Sequence, residues 1–413
     1  LTYFKEFKIN WYVLLATFIG ISTGNALSHY TLSLFAPELI SEFGWTRAQF
    51  ALVGTLQIIS VVALPIAGRF TDRFGARIAV VVGFFAISLG FFWFSIMSGS
   101  LTEFFVIWGL QHIFGVLTTS LVFTRVVVER FDRARGSSLS LLMMGPPLSG
   151  AIVAPILGSL IAAEGWRVGF IALGLASALG GLICVSMMGR KKREAPKKEL
   201  AQFDRAELMA IVRTRAFLLL VGGMFLINIP QVLAASQIKL VVMANGISDQ
   251  MATWMVSLYA VGVILGRLTF GLALDRIRAD LVALIALSLP AIGYVVLAMP
   301  LEAAWFIGGA IIIVGVAQGA EGDIGAYMVS RHFSLKNYSL ILGFVKTGLD
   351  AGGAIGALVL SFTLASTGSY NSFLYIVAVS SVLGAICFFL TGQAPDNSEN
   401  LDNKTDLDNQ TAT

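Results

Sequence analysis

The chain is poor in charge. Of its 413 residues, 13% are Asp, Glu, Lys or Arg, about half the share an ordinary soluble domain carries. With 57% hydrophobic residues, a water-soluble globular fold is excluded. Cysteine is scarce as well. Cys184 and Cys387 stand in apolar runs with no CxxC and no histidine neighbour, which argues against a disulfide framework or a thiolate metal site. The three histidines, His29, His112 and His332, are scattered, so no metal cluster or nucleophilic triad is expected and the chain is not read as an enzyme. It carries no G-x-x-x-x-G-K-[ST] loop, so ATP-driven transport would need a nucleotide site on another subunit.

What the chain has in abundance is long apolar runs. Stretches of about 18 to 25 such residues are long enough to cross a ~30 Å hydrocarbon layer as helices. Twelve are read from the sequence, near 11–37, 48–68, 78–98, 103–126, 137–161, 166–188, 216–243, 251–273, 281–299, 303–328, 339–365 and 371–391. The expected fold is an all-α membrane protein. The first run has no cleavage-like end and is not read as a secretory signal.

An even number of spans puts both termini on one side. Twenty-two of the 28 Lys and Arg residues fall in the loops of that side, against Arg47 and Arg167 in the opposite loops. The positive-inside rule then predicts cytoplasmic termini. The pI near 9.1 is accounted for by these topology signals, and no nucleic-acid partner is expected. The basic run from Gly189, GRKKREAPKKE, reads as part of a cytoplasmic linker, 189–215, that meets anionic lipid heads. It separates a six-span half, 1–188, from a second, 216–391; the polar segment 392–413 is expected to be a disordered tail.

The halves echo each other. GRFTDRFGAR from Gly68 and GLALDRIRAD from Gly271 share G-x-x-x-D-R at corresponding places after the second and eighth spans. Parallel repeats of this kind put a substrate site near the midplane between the halves.

Gly68, Asp72, Arg73, Gly75 and Arg77 form G-x-x-x-D-R-x-G-x-R, which resembles the signature loop of the major facilitator superfamily, with Asp275 and Arg276 in the weaker second copy. The resemblance implies two six-helix halves that rock about a central site, with this loop as a cytoplasmic gate closed by ion pairs. LSLFAPELISEFGWTRAQF from Leu32 and GRLTFGLALDR from Gly266 resemble bacterial relatives of the monocarboxylate transporters. In that branch, and in the oxalate and formate exchangers, an arginine eight residues before the loop aspartate binds substrate carboxylate. Arg267 has that position relative to Asp275. GPPLSGAIVAPILG from Gly145 resembles a Gly-Pro motif of antiporters and predicts a bent fifth span.

Four basic residues lie within spans: Arg125, Lys239, Arg267 and Lys346. Arg125 and Lys239 are near enough to the interfaces to be expected to snorkel. By helix rise Arg267 and Lys346 lie about 12 Å deep, where a charge costs at least ~2.5 kcal/mol unless it faces a cavity or a partner. Arg267 can hold a carboxylate through two parallel hydrogen bonds; the alternative is a permanent ion pair with Glu321 or Asp323. Lys346 and Asp350 share a helix face and are read either as a mutual pair or as a pair opened by proton and anion. Gly348, Gly352, Gly353 and Gly356 around them are read as permitting close helix approach and rocking. Asp350, Glu321 and Asp323 are the proton-carrier candidates. His29, Tyr30 and Tyr327 are further candidates to meet the substrate.

Together these readings describe a secondary transporter of small organic anions, a proton-coupled monocarboxylate symporter acting as a monomer. It would need no cofactor beyond a proton gradient, and the bacterial inner membrane is the expected location. Dicarboxylate exchange and proton-driven drug efflux are the alternatives.

Overall fold

The computed structural model describes residues 3–131, 134–188, 205–301, 303–333 and 338–392. Most of the linker read at 189–215 and nearly all of the polar tail fall outside them. A short helix, Arg205–Val212, occupies part of the linker. Lipid offers the backbone no hydrogen-bond partners, so each apolar run closes its own as a helix. Among the described residues eleven helices are long and apolar enough to span. The twelfth span is the first, broken at Gly24 into Tyr3–Thr23 and Asn25–Phe43 and together called α1. The others are α2 Arg47–Phe74, α3 Ala76–Ile96, α4 Leu101–Val128, α5 Arg135–Glu164, α6 Trp166–Met187, α7 Arg215–Ala244, α8 Asp249–Leu274, α9 Ala279–Ala298, α10 Ala304–His332, α11 Tyr338–Thr367 and α12 Asn371–Leu390.

Local chemistry sets the helix ends and breaks. Thr46 caps α2 through a capping box with Gln49, and Gly75 turns the chain from α2 into α3 at φ 88°, a value a side chain would strain. Thr118 lies where α4 loosens into a 3-10 turn, Val116–Thr118, and its hydroxyl accepts the Asn25 N–H at 2.9 Å. The breaks in α1 and α4 thus satisfy each other. A second 3-10 stretch, Leu52–Ile58, lies in α2. α7 is interrupted at Pro230 and continues through a π-turn, Leu233–Gln237.

Glycines set the closest approaches. On α8, Gly262 and Gly266 lie against the carbonyls of Ile312 and Val316 of α10; on α10, Gly315 and Gly319 lie against those of Tyr259 and Val263. This reciprocal small-xxx-small contact locks α8 to α10. Gly348, Gly352 and Gly356 of α11 lie on the carbonyls of Val221, Phe225 and Ile229 of α7 in the same way. The close helix approach expected of them is found, within α11's own half; Gly353 alone of the four turns to the other half, against Gln57.

The apolar cores show how the halves stand. On the side away from the termini one continuous core runs through both, joining Phe35, Phe50, Phe94 and Phe170 to Val232, Tyr259, Leu360 and Phe373. On the terminal side there are two separate cores, one from each half, around Phe123 and Phe131 and around Met224 and Phe388. The molecule is therefore sealed on the far side and parted on the terminal side.

Candidate functional site

The seal between the halves rests on two helix pairs related by the repeat, α2 with α11 and α5 with α8. Gly54 of α2 meets Ala357 of α11, and Gly158 of α5 meets Thr253 of α8. Tyr30 of α1 packs on Gly150, with its ring centroid 6.2 Å from that of Tyr259 on α8. The Tyr259 hydroxyl is buried and has no hydrogen-bond partner among the described residues. His29 sets its ring edge-on to Tyr30 at 5.0 Å. Tyr30 thus stands on the seal, with His29 beside it.

Eight residues along α8 from Tyr259, about 12 Å toward the termini, is Arg267. Its Nε lies 3.2 Å from Asp323 Oδ2 on α10, at an angle that makes no hydrogen bond. Its Nη1 donates to the backbone carbonyl of Met143 on α5, in the other half, at 2.6 Å. The close glycine packing of α8 on α10 brings Arg267 and Asp323 together. Of the two partners read from sequence, Asp323 is the one found. Tyr327, one turn beyond Asp323, is half-buried against the terminal-side core of its half.

Glu321 points elsewhere, as expected of a residue two positions from Asp323. It is buried, accepts a hydrogen bond from Gln318, and faces a cavity of about 20 Å³ lined by Pro230, Tyr294 and Gln318. Such a space suits about one water. It lies inside the second half, away from the opening.

Lys346 and Asp350 do not pair. Among the described residues Lys346 has no ion pair, and its side chain is exposed. Asp350 is buried and turned toward α2, where Gln57 Nε2 approaches its Oδ1 at 3.5 Å. A shared helix face permitted the pair, but Gln57 from the other half supplies Asp350 with a polar neighbour, and the parted terminal side leaves Lys346 in the open. Sequence reasoning missed Gln57 because nothing local marks a glutamine of α2 as facing α11. It also missed the Met143 carbonyl, although the Pro146-Pro147 pair was its signal.

The two residues expected to snorkel are both paired. Arg125 bonds Asp72 at the end of α2 and lies 3.3 Å from Glu129, so the signature aspartate is held within its own half. Lys239 is 3% exposed and 2.8 Å from Asp249 Oδ1; it stays inside because α8 begins beside it. Of the remaining signature residues, Gly68 has open space beside it and Arg73 lies over the Phe74 ring at 5.3 Å. Arg77, Asp275 and Arg276 have no ion pair among the described residues; Arg278 and Asp280, 2.7 Å apart, form the pair next to the second copy. Among the described residues there is no metal-ligating cluster. A crevice of about 830 Å³ is lined by Leu89, Trp93, Ile96, Leu110 and Phe114 on the outer flank of the first half. That flank faces acyl chains and offers nothing to a charged solute.

A basic and acidic constellation at mid-depth, between two six-helix halves open on one side, is a transporter's geometry, and comparison with known proteins agrees. The chain is 26% identical to human "Monocarboxylate transporter 11" over 372 residues, covering 87% of this chain and 74% of that protein. With "Monocarboxylate transporter 13" of Bos taurus it shares 23% over 394 residues, 91% of each chain. "MFS transporter asaE" of Aspergillus flavus is 25% identical over 356 residues, 83% of this chain and 76% of that one. In fold it resembles the nucleoside transporter NupG, with a TM-score of 0.75 at 14% identity over 92% of this chain and 100% of that one. The model of the Major Facilitator Superfamily matches residues 18–240 and 229–409, and the chain belongs to that superfamily of transporters.

Proposed function

We propose that the protein is a proton-coupled symporter for a small monocarboxylate, caught open toward the side of its termini. The observation that carries this reading is the charge inventory at mid-depth. Arg267 has Asp323 beside it, while Lys346 is without an ion pair among the described residues. Once Asp350, one turn from Lys346, is protonated, one cation stands in excess of the carboxylates, which suits one substrate carboxylate. The anion enters from the open side and meets Lys346, and Arg267 closes on it with the planar fork that suits a carboxylate.

Asp350 is the proton carrier in this reading. It is one helical turn from Lys346, so loading it with a proton removes a negative charge beside the anion's site and favours anion binding. It also sits on the seal, opposite Gln57, where a change of charge bears on whether the halves stay together. By the positive-inside rule the open side is the cytoplasm, and the resemblance to bacterial transporters makes the bacterial inner membrane the proposed location. Relatives named monocarboxylate transporters support the substrate class.

The test is uptake of labelled pyruvate and oxalate into proteoliposomes, with and without an inward proton gradient, by the native protein, Arg267→Lys and Lys346→Ala. Gradient-driven pyruvate uptake that collapses in both variants is expected. Uptake of oxalate that ignores the gradient and needs internal anion would replace symport by exchange. If neither anion moves, the carboxylate reading fails and proton-driven efflux takes its place.

A further inference from the structure

Proline has no N–H, so a proline inside a helix leaves the carbonyl four residues earlier without its intrahelical donor. Pro147 therefore frees the carbonyl of Met143. That is the carbonyl to which Arg267 Nη1 donates from the other half at 2.6 Å. Pro146 likewise frees Leu142, whose carbonyl accepts no side-chain hydrogen bond among the described residues. The fifth span, through its paired prolines, thus supplies an oxygen ligand to the arginine of the eighth.

We infer that the Met143 carbonyl is an internal stand-in for substrate, a latch that occupies Arg267 across the interface while the site is empty and that an incoming carboxylate must displace. The inference rests on the reading of Arg267 as the carboxylate clamp. A guanidinium presents its donors as forks of two, from Nε with one Nη or from the two Nη together. Asp323 stands at Nε and Met143 at Nη1, so each fork already has an oxygen beside it. Bidentate capture of a carboxylate requires one of those oxygens to leave. Met143 is the neutral one, and it belongs to the opposite half, so its release removes one tie between α5 and α8 as the anion is gripped.

Pro147→Ala restores an N–H that competes with Arg267 for the carbonyl. Two measurements test the latch. The first needs no substrate. Spin labels on Val128→Cys and Ile277→Cys, with Cys184 and Cys387 replaced by Ala, report the separation of the halves on the terminal side. Pro147→Ala is expected to broaden or shift that distance distribution, and Arg267→Gln to do the same. In the Arg267→Gln background Pro147→Ala should add nothing, because the partner is already gone. Equal effects of Pro147→Ala in both backgrounds would mean that straightening α5 is responsible and would overturn the latch.

The second measurement is pyruvate affinity by titration calorimetry. Pro147→Ala should tighten it roughly three- to tenfold, the scale of one net hydrogen bond, whereas Pro146→Ala should leave it within about twofold. Unchanged or weaker affinity in Pro147→Ala would contradict displacement of the carbonyl by substrate. If the native protein binds no pyruvate, the carboxylate reading fails, and the spin-label cycle still decides on the latch.

Discussion

Gly266→Ala should cost both stability and affinity, and the size of the effect follows from the helix packing. A Cβ on Gly266 would stand 1.8 Å from the Val316 carbonyl oxygen, whereas a carbon and a carbonyl oxygen in close contact keep about 3.3 Å. The obstacle is backbone, which cannot rotate aside, so α8 and α10 must part by roughly 1.5 Å. Overpacking of this kind costs about 1–3 kcal/mol, which for a unit the size of one half lowers the melting temperature by roughly 2–12 °C. The same displacement takes Arg267 Nε from 3.2 Å to beyond ion-pair distance of Asp323. Thermal melting in detergent by tryptophan fluorescence reads the first effect and pyruvate affinity the second. Gly222→Ala is the control: its Cβ would meet nothing within 4 Å, and alanine is the better helix former by about 1 kcal/mol. If Gly266→Ala melts like Gly222→Ala, the tight α8–α10 contact is not what holds these helices.

Lys239 offers a second check. Asp249→Asn leaves a buried ammonium without its partner and should destabilise by about 1–3 kcal/mol, discounted from the value for a fully buried pair because Asp249 is 47% exposed. Lys239→Met combined with Asp249→Asn should recover most of that loss in the same melt; a double variant as unstable as the single would refute the pairing. For Lys346→Ala, an exposed and unpaired side chain predicts a stability change within about 0.5 kcal/mol alongside loss of anion uptake. A large fall in melting temperature would instead reveal the Lys346–Asp350 pair that the structure lacks.

The sequence by itself determined the membrane setting, the twelve spans and the two-half repeat, because hydrophobic thickness and backbone satisfaction in lipid leave a long apolar run little choice. It also marked Arg267, since a charge at mid-depth needs a cavity or a partner. It did not determine which partner. Asp323 rather than Glu321 lies at Arg267 because α8 and α10 are locked by Gly262, Gly266, Gly315 and Gly319, contacts between segments some fifty residues apart. Helical spacing alone allowed Lys346 and Asp350 to pair; the approach of Gln57 from the other half turned Asp350 away. The same holds for Arg125 and Lys239, whose depth suggested snorkelling but whose partners, Asp72 and Asp249, stand on other helices. Periodicity fixes what a helix presents on each face, and only packing decides what stands opposite.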